Sequence, residues 1–444
     1  MWKPRRLAAA LAAAAIVTGA TAVVGTAGPA GAQATSGSAA SIATAPGSGQ
    51  LVVDWTNELL QIQKIPGVQP ATVHPTRSFA IMDAAIFDAV ASITHRDRPY
   101  AFAVAAPRTA RPDAAAAQAA HDTLAAIYPS QTASIDQLLN TELAAIPGGT
   151  GKTEGTQVGH NVATLLIALR SGDGSAVPPP AFTAGTQPGN YRPTPPKFPA
   201  PVFTNWGTVN PFVLTTGSQF RSSPPPALST KAYADAISEV MSVGQDTSTT
   251  RTADQTTQAK FWSPPIWNIW NQIASKLVTN QRTSLERTSK IFSDLNLTLA
   301  DAAISMYEAK YHYQLWRPIT AIQLGDSLGN PATPADPGWN SLLTTAADPS
   351  YPGAHSVISE ASATVLSKFF PANTHLTVTS DTLPGVTRSF NGFQAAATEA
   401  GLSRIFGGVH TRLDHVAGLK LGHDVAQFVL EQSGTSEFGP QLAG

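Results

Sequence analysis

The stretch SRIFGGVHTRLDH, residues 403–415, joins two helical patterns through a pair of glycines. The glycines permit a sharp change of chain direction just before His410. His410 and Asp414 are four residues apart, so on a helix the carboxylate would reach the imidazole. Such a partner fixes the imidazole tautomer and leaves the other ring nitrogen free as a ligand or nucleophile. The alternative is an ordinary surface pair on a helix.

A second cluster of charge lies upstream, where residues 310–318 read KYHYQLWRP. Seven residues of α-helix turn through ~700°, so Lys310 and Arg317 are predicted to project from one helix face. Two cations on one face without an acid between them repel each other unless an anion binds there. Pro318 is predicted to end or kink that helix. A solvated basic edge is the alternative interpretation.

Between these two stretches, residues 350–356 read SYPGAHS and lead from a loop into the helical pattern VISEASATVLSKFF. The small residues Gly353 and Ala354 allow the backbone to approach a ligand. The free N–H groups of a first helical turn form an anion site. His355 would deliver or remove a proton near neutral pH, unless it is only a cap or surface residue.

Helical periodicity extends over most of the remaining chain. Further helices are predicted at residues 51–62, 78–93, 113–127, 132–145, 156–169, 230–243, 267–276, 284–310, 356–369, 392–405 and 415–432. Alternating strand patterns are scarce. The predicted fold class is therefore all-α, with helical bundles in two four-helix-bundle-like halves and the active site in the C-terminal bundle.

The N terminus has the pattern of a targeting signal. A basic start, an alanine-rich apolar run and the small-residue sequence at 30–32 are typical of a secretory signal peptide. A membrane anchor is the alternative, but we expect a secreted, extracellular protein with no stable membrane anchor. The predicted organisation is a signal peptide at 1–32, a flexible leader at 33–50, an N-terminal helical half at 51–172, a Pro-rich connector at 173–226 and a C-terminal helical half at 227–444 with the oxyanion site.

Composition excludes several classes of function. A formal net charge of −1 over 444 residues argues against a nucleic-acid partner. The absence of cysteine excludes disulfides, thiolate metal sites and cysteine nucleophiles. The string GDSLG at 325–329 fits a serine-hydrolase motif but lacks the strand and helix of a nucleophile elbow. The sequence carries no signal for an oligomeric state.

In their order and spacing, the three segments resemble the signature of the vanadium-dependent haloperoxidase and type-2 phosphatidic acid phosphatase superfamily. That signature reads K-x6-R-P, then P-S-G-H, then S-R-x5-H-x3-D. The matching residues are Lys310, Arg317, Pro318, Pro352, His355, Ser403, Arg404, His410 and Asp414. The resemblance covers roughly residues 300–425 and fits the secreted bacterial haloperoxidase-like branch.

The resemblance implies vanadate as the cofactor, with His410 as the axial ligand to vanadium. It implies a cofactor-binding set of Lys310, Arg317, Gly353, Ala354, Arg404 and His410, and a catalytic set of His355, His410, Lys310 and Asp414. The implied activity is oxidation of halide by hydrogen peroxide to hypohalous acid, or halogenation of a small organic substrate. Vanadium carries the redox step, so no haem or flavin is required.

Two other functions use the same residues. Phosphate has the shape of vanadate, so the site would also suit a secreted acid phosphatase acting on a phosphate ester. His410 would then be the nucleophile, and His355 would protonate the leaving alcohol. A non-catalytic oxyanion-binding protein is the third possibility.

The chain departs from the signature at two positions and from characterised haloperoxidases at two more. Gly353 and Ala354 replace its serine and glycine, so one hydroxyl donor to the oxyanion is missing. Asp348, seven residues before His355, stands where characterised haloperoxidases carry an aromatic residue or histidine. Tyr307 stands where the fungal type has tryptophan. An acid at position 348 is unfavourable for an approaching halide.

Overall fold

The computed structural model describes residues 48–434. The helices are α1 Gln50–Lys64, α2 Thr76–Thr94, α3 Pro112–Ile127, α4 Thr132–Ala145, α5 Thr150–Ser171, α6 Lys231–Val243, α7 Ala253–Phe261, α8 Ile266–Asn280, α9 Leu285–Tyr313, α10 Pro318–Gln323, α11 Ala354–Phe369, α12 Phe393–Phe406 and α13 Arg412–Ser433. One antiparallel hairpin, β1 His375–Thr379 and β2 Thr387–Asn391, lies between α11 and α12. The predicted all-α class is confirmed.

The predicted signal peptide and nearly all of the leader lie outside the described residues. Within residues 48–434, no helix is both long and apolar enough to cross a membrane. The boundaries predicted for the helical halves and the connector remain predictions.

The long helix α9 connects two groups of helices. On one side it packs against α2, which in turn packs against α3 and α5. On the other side it packs against α11 and α13, and α12 covers α11. Nearly every residue of α9 is buried, as expected for a helix surrounded by partners. The end of α9 therefore carries Lys310 into the interior of the C-terminal group.

Glycines bring α11 and α13 close together. A Cβ on Gly422 of α13 would lie 2.2 Å from the carbonyl oxygen of Val357 on α11, which no side chain tolerates. One turn earlier, a Cβ on Gly418 would lie 2.7 Å from the carbonyl oxygen of Gly353. This close approach sets the start of α11 directly beside the start of α13.

The Pro-rich segment at 173–226 has no α-helix, and part of it is buried. The backbone N–H groups of Phe212, Val213 and Leu214 all donate to the carboxylate of Asp301 on α9, at 2.6–2.8 Å. Three bonds to one buried carboxylate pin the end of this segment to the central helix.

Asp83 on α2 gives a prediction about stability. Its Oδ2 accepts a 2.7 Å bond from Asn296, whereas its Oδ1 is buried without a partner. Burial raises the pKa of Asp83 to about 8, so the folded protein holds a proton that the unfolded chain releases. The stability that depends on this proton is complete below about pH 4 and is lost as the pH rises towards 8.

Asp83→Asn removes this titration. The free energy of unfolding of the variant should exceed that of the wild type by an amount that grows between pH 5 and 8, by up to about 1.4 kcal/mol per pH unit. Denaturant melts at several pH values measure this difference. The exposed Asp97→Asn is the matched control, and parallel pH profiles for Asp83→Asn and wild type would contradict the prediction.

Candidate functional site

Lys310 and Arg317 meet in the structure, but not on one helix face as predicted. Helix α9 ends before Gln314, whose φ of 48° is left-handed, and the chain turns away. Arg317 then precedes α10, which begins at Pro318. The proline therefore starts a new helix, where its fixed φ is favourable. The two cations converge because both reach towards the same loop.

That loop is the segment 348–350, which provides oxygen atoms to both cations. Lys310 Nζ donates to the carbonyl of Pro349 and, at 3.2 Å, to that of Ser350. Arg317 donates through Nε to the carbonyl of Asp348 at 2.7 Å and through Nη2 to its Oδ1. The same Oδ1 lies 3.6 Å from Lys310 Nζ. Asp348 was expected only as an unfavourable acid near the halide, and its ion pair with these two cations was not predicted.

These charges are buried and perturb one another. Lys310 and Arg317 are at most 1% exposed. Burial lowers the pKa of Lys310 to about 8 despite the Asp348 carboxylate beside it. Burial opposes ionisation of Asp348, but the neighbouring cations outweigh it and hold the pKa of Asp348 below its usual value. The three groups therefore form a charged cluster at neutral pH.

His410 lies just before α13, and its two ring nitrogens have different partners. Nδ1 faces Asp414 Oδ2 at 3.2 Å, and Nε2 lies 3.1 Å from Arg317 Nη1. A guanidinium only donates, so Nε2 is the acceptor and Nδ1 carries the proton. Burial, reinforced by the charge of Arg317, lowers the pKa of His410 to about 4. His410 is therefore neutral at pH 7, with its Nε2 lone pair directed at a cation.

Asp414 is fixed by its position at the start of α13. Its Oδ2 accepts 2.7 Å bonds from the N–H of Thr411 and from the hydroxyl of Ser350. The bond from Thr411 is half of a capping box, which explains why His410 and Asp414 meet although His410 is outside the helix. Ser350 was not predicted as a site residue; its only signal was its place at the start of the SYPGAHS stretch.

Arg404 on α12 is the least compensated charge of the site. It is 5% exposed, and no carboxylate within residues 48–434 forms an ion pair with it. Its Nη2 donates to the Ala259 carbonyl at 2.7 Å and its Nη1 to the Trp262 carbonyl at 3.2 Å. Its Nε is buried without a hydrogen-bond partner. Burial lowers the pKa of Arg404 to about 9.

His355 lies beside Arg404 in the first turn of α11, as the sequence predicted. Its Nε2 is 2.8 Å from the carbonyl of Trp262 and 3.2 Å from Arg404 Nη1. A protonated Nε2 donates to the carbonyl, whereas an unprotonated Nε2 accepts from Arg404. Burial, and then the charge of Arg404, hold the pKa of His355 well below its usual value. The carbonyls of Ala259 and Trp262 belong to the end of α7, a helix that periodicity did not predict.

Gly353 precedes α11 and is already engaged. Its N–H donates to the backbone carbonyl of Asp414 at 2.9 Å, so it offers no free donor in this conformation. Its φ of −77° is open to any residue. The N–H groups of Ala354 and His355 occupy the first turn, where no intrahelical acceptor exists, and are better placed as donors. Gly408, with a φ of 77°, turns the chain towards His410.

Together these groups fit a tetrahedral oxyanion such as vanadate or phosphate. Three buried cations and one unpartnered guanidinium N–H suit an anion with several acceptor oxygens, and the unprotonated Nε2 of His410 suits its central atom. A carboxylate, itself an oxyanion, already binds two of the cations. This observation supports the charge preference of the pocket and also identifies a competitor within it.

Comparisons with known proteins find a similar fold. Residues 290–435 match the family model of the VCPO second helical-bundle domain. Among solved structures, a bacterial vanadium-dependent iodoperoxidase is 24% identical, with a TM-score of 0.76 over 87% of this chain and 97% of that chain. A holo-type bacterial vanadium-dependent chloroperoxidase is 16% identical, with a TM-score of 0.64 over 85% of this chain and 96% of that one. No curated protein sequence matches the chain.

Proposed function

We propose that this chain, a member of the superfamily of vanadium-dependent haloperoxidases and type-2 phosphatidic acid phosphatases, is a vanadate-dependent haloperoxidase-like oxidoreductase. Its reaction would be the oxidation of halide by hydrogen peroxide to hypohalous acid, or halogenation of a small organic substrate. The observation that carries the proposal is Arg404, a buried cation with an unpartnered Nε and no carboxylate partner within residues 48–434. The targeting pattern at the N terminus supports secretion.

Vanadate would be held by the charges that the interior already contains. Lys310, Arg317 and Arg404 would bind its oxygens, together with the N–H groups at the start of α11, and His410 Nε2 would ligate the vanadium. Bound vanadate supplies the redox chemistry by activating peroxide towards halide. Buried cations of this kind stabilise negative charge strongly because little water is present to screen them.

The remaining residues control protons. Asp414 keeps the proton of His410 on Nδ1, so that Nε2 stays unprotonated. Ser350 and Thr411 hold that carboxylate in place. His355 is neutral in the ligand-free site, and a bound anion beside it would raise its pKa, which suits an acid–base group.

A phosphatase is the second candidate, favoured by the same neutral His410. An unprotonated Nε2 among buried cations also suits attack on phosphorus, with His355 protonating the leaving alcohol. Asp348 does not separate the two candidates, because its carboxylate would repel both an approaching halide and an approaching phosphate ester.

Activity assays of the purified protein separate the candidates. Peroxide-dependent oxidation of iodide, bromide and chloride is measured with and without orthovanadate, beside hydrolysis of p-nitrophenyl phosphate. We expect halide oxidation to be weak as isolated and to rise on adding vanadate, because no side-chain hydroxyl stands at position 353 to help hold the oxyanion. Ester hydrolysis in the absence of vanadate, together with no halide oxidation at saturating vanadate, would establish the phosphatase instead. The absence of both activities would indicate an oxyanion-binding protein.

A further inference from the structure

We propose that Asp348 is a built-in competitor for the oxyanion, whose carboxylate holds Arg317 and Lys310 until an incoming oxyanion displaces it. The inference rests on the proposed function in one respect, that the oxyanion binds in this pocket. It assigns to Asp348 control over how tightly the pocket binds its anion.

The contacts of Asp348 are those that an oxyanion would make. Its Oδ1 accepts from Arg317 Nη2 and lies 3.6 Å from Lys310 Nζ. The residue is only 4% exposed, so water does little to weaken these interactions. A second anion at the same cations would be close to the carboxylate, and like charges that close repel strongly. Carboxylate and oxyanion are therefore mutually exclusive at these two donors.

Displacement of the carboxylate leaves the main-chain contacts of both cations in place. Arg317 Nε is bonded to the backbone carbonyl of Asp348, and Lys310 to the carbonyls of Pro349 and Ser350. These main-chain contacts do not involve the carboxylate and remain when it turns away. Burial, and then the charge of Asp348, hold the pKa of Tyr307 well above its usual value, so a protonated Tyr307 hydroxyl stays near the Asp348 carboxylate. A neutral hydroxyl there favours the carboxylate in its competing position.

The arrangement divides the pocket into two sides. On one side, Lys310 and Arg317 are occupied by Asp348. On the other, Arg404 has no carboxylate partner within residues 48–434 and keeps its Nε unpartnered. An incoming anion would thus bind Arg404 first and gain the other two cations only by displacing Asp348. The affinity of the wild-type protein is accordingly lower than three buried cations would otherwise give.

Calorimetric titration with inorganic phosphate tests this proposal without any redox chemistry. Asp348→Asn keeps an acceptor for Arg317 but removes the charge, and should bind phosphate at least about tenfold more tightly than wild type. Thermal melts should show a correspondingly larger upward shift of Tm with added phosphate in the variant. Asp381→Asn, an exposed partner of Lys64, makes the same change of net charge at the surface and should leave the affinity unchanged.

A second variant avoids uncovering the buried cations. Tyr307→Phe removes the neutral hydroxyl near the Asp348 carboxylate and should tighten phosphate binding by about two- to threefold. Unchanged or weaker phosphate binding by folded Asp348→Asn, or weaker binding by Tyr307→Phe, would overturn the competitor role. If neither wild type nor Asp348→Asn binds phosphate or vanadate, the oxyanion pocket itself is wrong, and the proposed function fails with it.

Discussion

Replacing His410 by alanine should abolish peroxide-dependent halide oxidation, with a loss of at least roughly 10³-fold, while the helical fold remains. The unprotonated imidazole nitrogen that accepts from Arg317 is then lost, and with it the proposed bond to the cofactor. Loss of one preorganised group that acts directly on the reacting centre typically costs about 10²–10³-fold, and a ligand to the cofactor should cost at least that.

Turnover at saturating vanadate measures this loss, and circular dichroism checks the fold. His423→Ala is the matched control, because His423 is on α13, which His410 precedes, and its side chain is 51% exposed. Near-wild-type turnover by His410→Ala would exclude His410 as a ligand to the cofactor.

The second large effect is expected at Lys310. Lys310→Met keeps most of the volume of a side chain that is 0% exposed but removes its charge, so the apolar packing of α9 is retained. The site loses one of three cations for the oxyanion. Activity should fall by roughly 10²-fold or more, with weaker binding of both phosphate and vanadate.

Lys231→Met serves as its control. Lys231 is 86% exposed and pairs with Asp235 one turn away on α6, so its replacement should change neither activity nor affinity. A Lys310→Met variant that keeps wild-type vanadate affinity and turnover would show that this residue is not at the oxyanion.

The positions of most helices could be predicted because their signal is local. Eleven predicted segments correspond to helices of the structure, the majority within two residues at each end. Helix α7 was missed because its nine residues carry little amphipathic pattern, although Thr252 and Gln255 form a capping box at its start. The short hairpin was missed because its strands are only five residues long: β1 alternates exposed and buried residues, but β2 does so only in part.

The residues of the candidate site could be predicted from the sequence better than their arrangement in space. The spacing of Lys310 and Arg317 suggested one helix face, but the left-handed Gln314 ends the helix between them. Periodicity assumes an unbroken helix and contains no information about where one residue turns the chain. The motif nevertheless identified both cations. The loop at 348–350 brings them together through contacts between residues more than thirty positions apart in sequence.

Asp348 illustrates what the sequence could not provide. An acid at that position was evident, but its pairing with Lys310 and Arg317 depends on the loop conformation rather than on any local pattern. The same holds for the carbonyls of Ala259 and Trp262 that fix Arg404, which is more than 140 residues away along the chain. Long-range polar contacts of this kind appear only once the helices are packed.

Calorimetric titration of orthovanadate into the purified protein tests the central claim most directly. We expect one vanadate to bind per chain and phosphate to displace it competitively. His410→Ala should lose more affinity for vanadate than for phosphate. That difference reports the bond between His410 and vanadium, because both anions share the same cations. Absence of binding, binding that phosphate does not displace, or equal losses for the two anions in His410→Ala would contradict it.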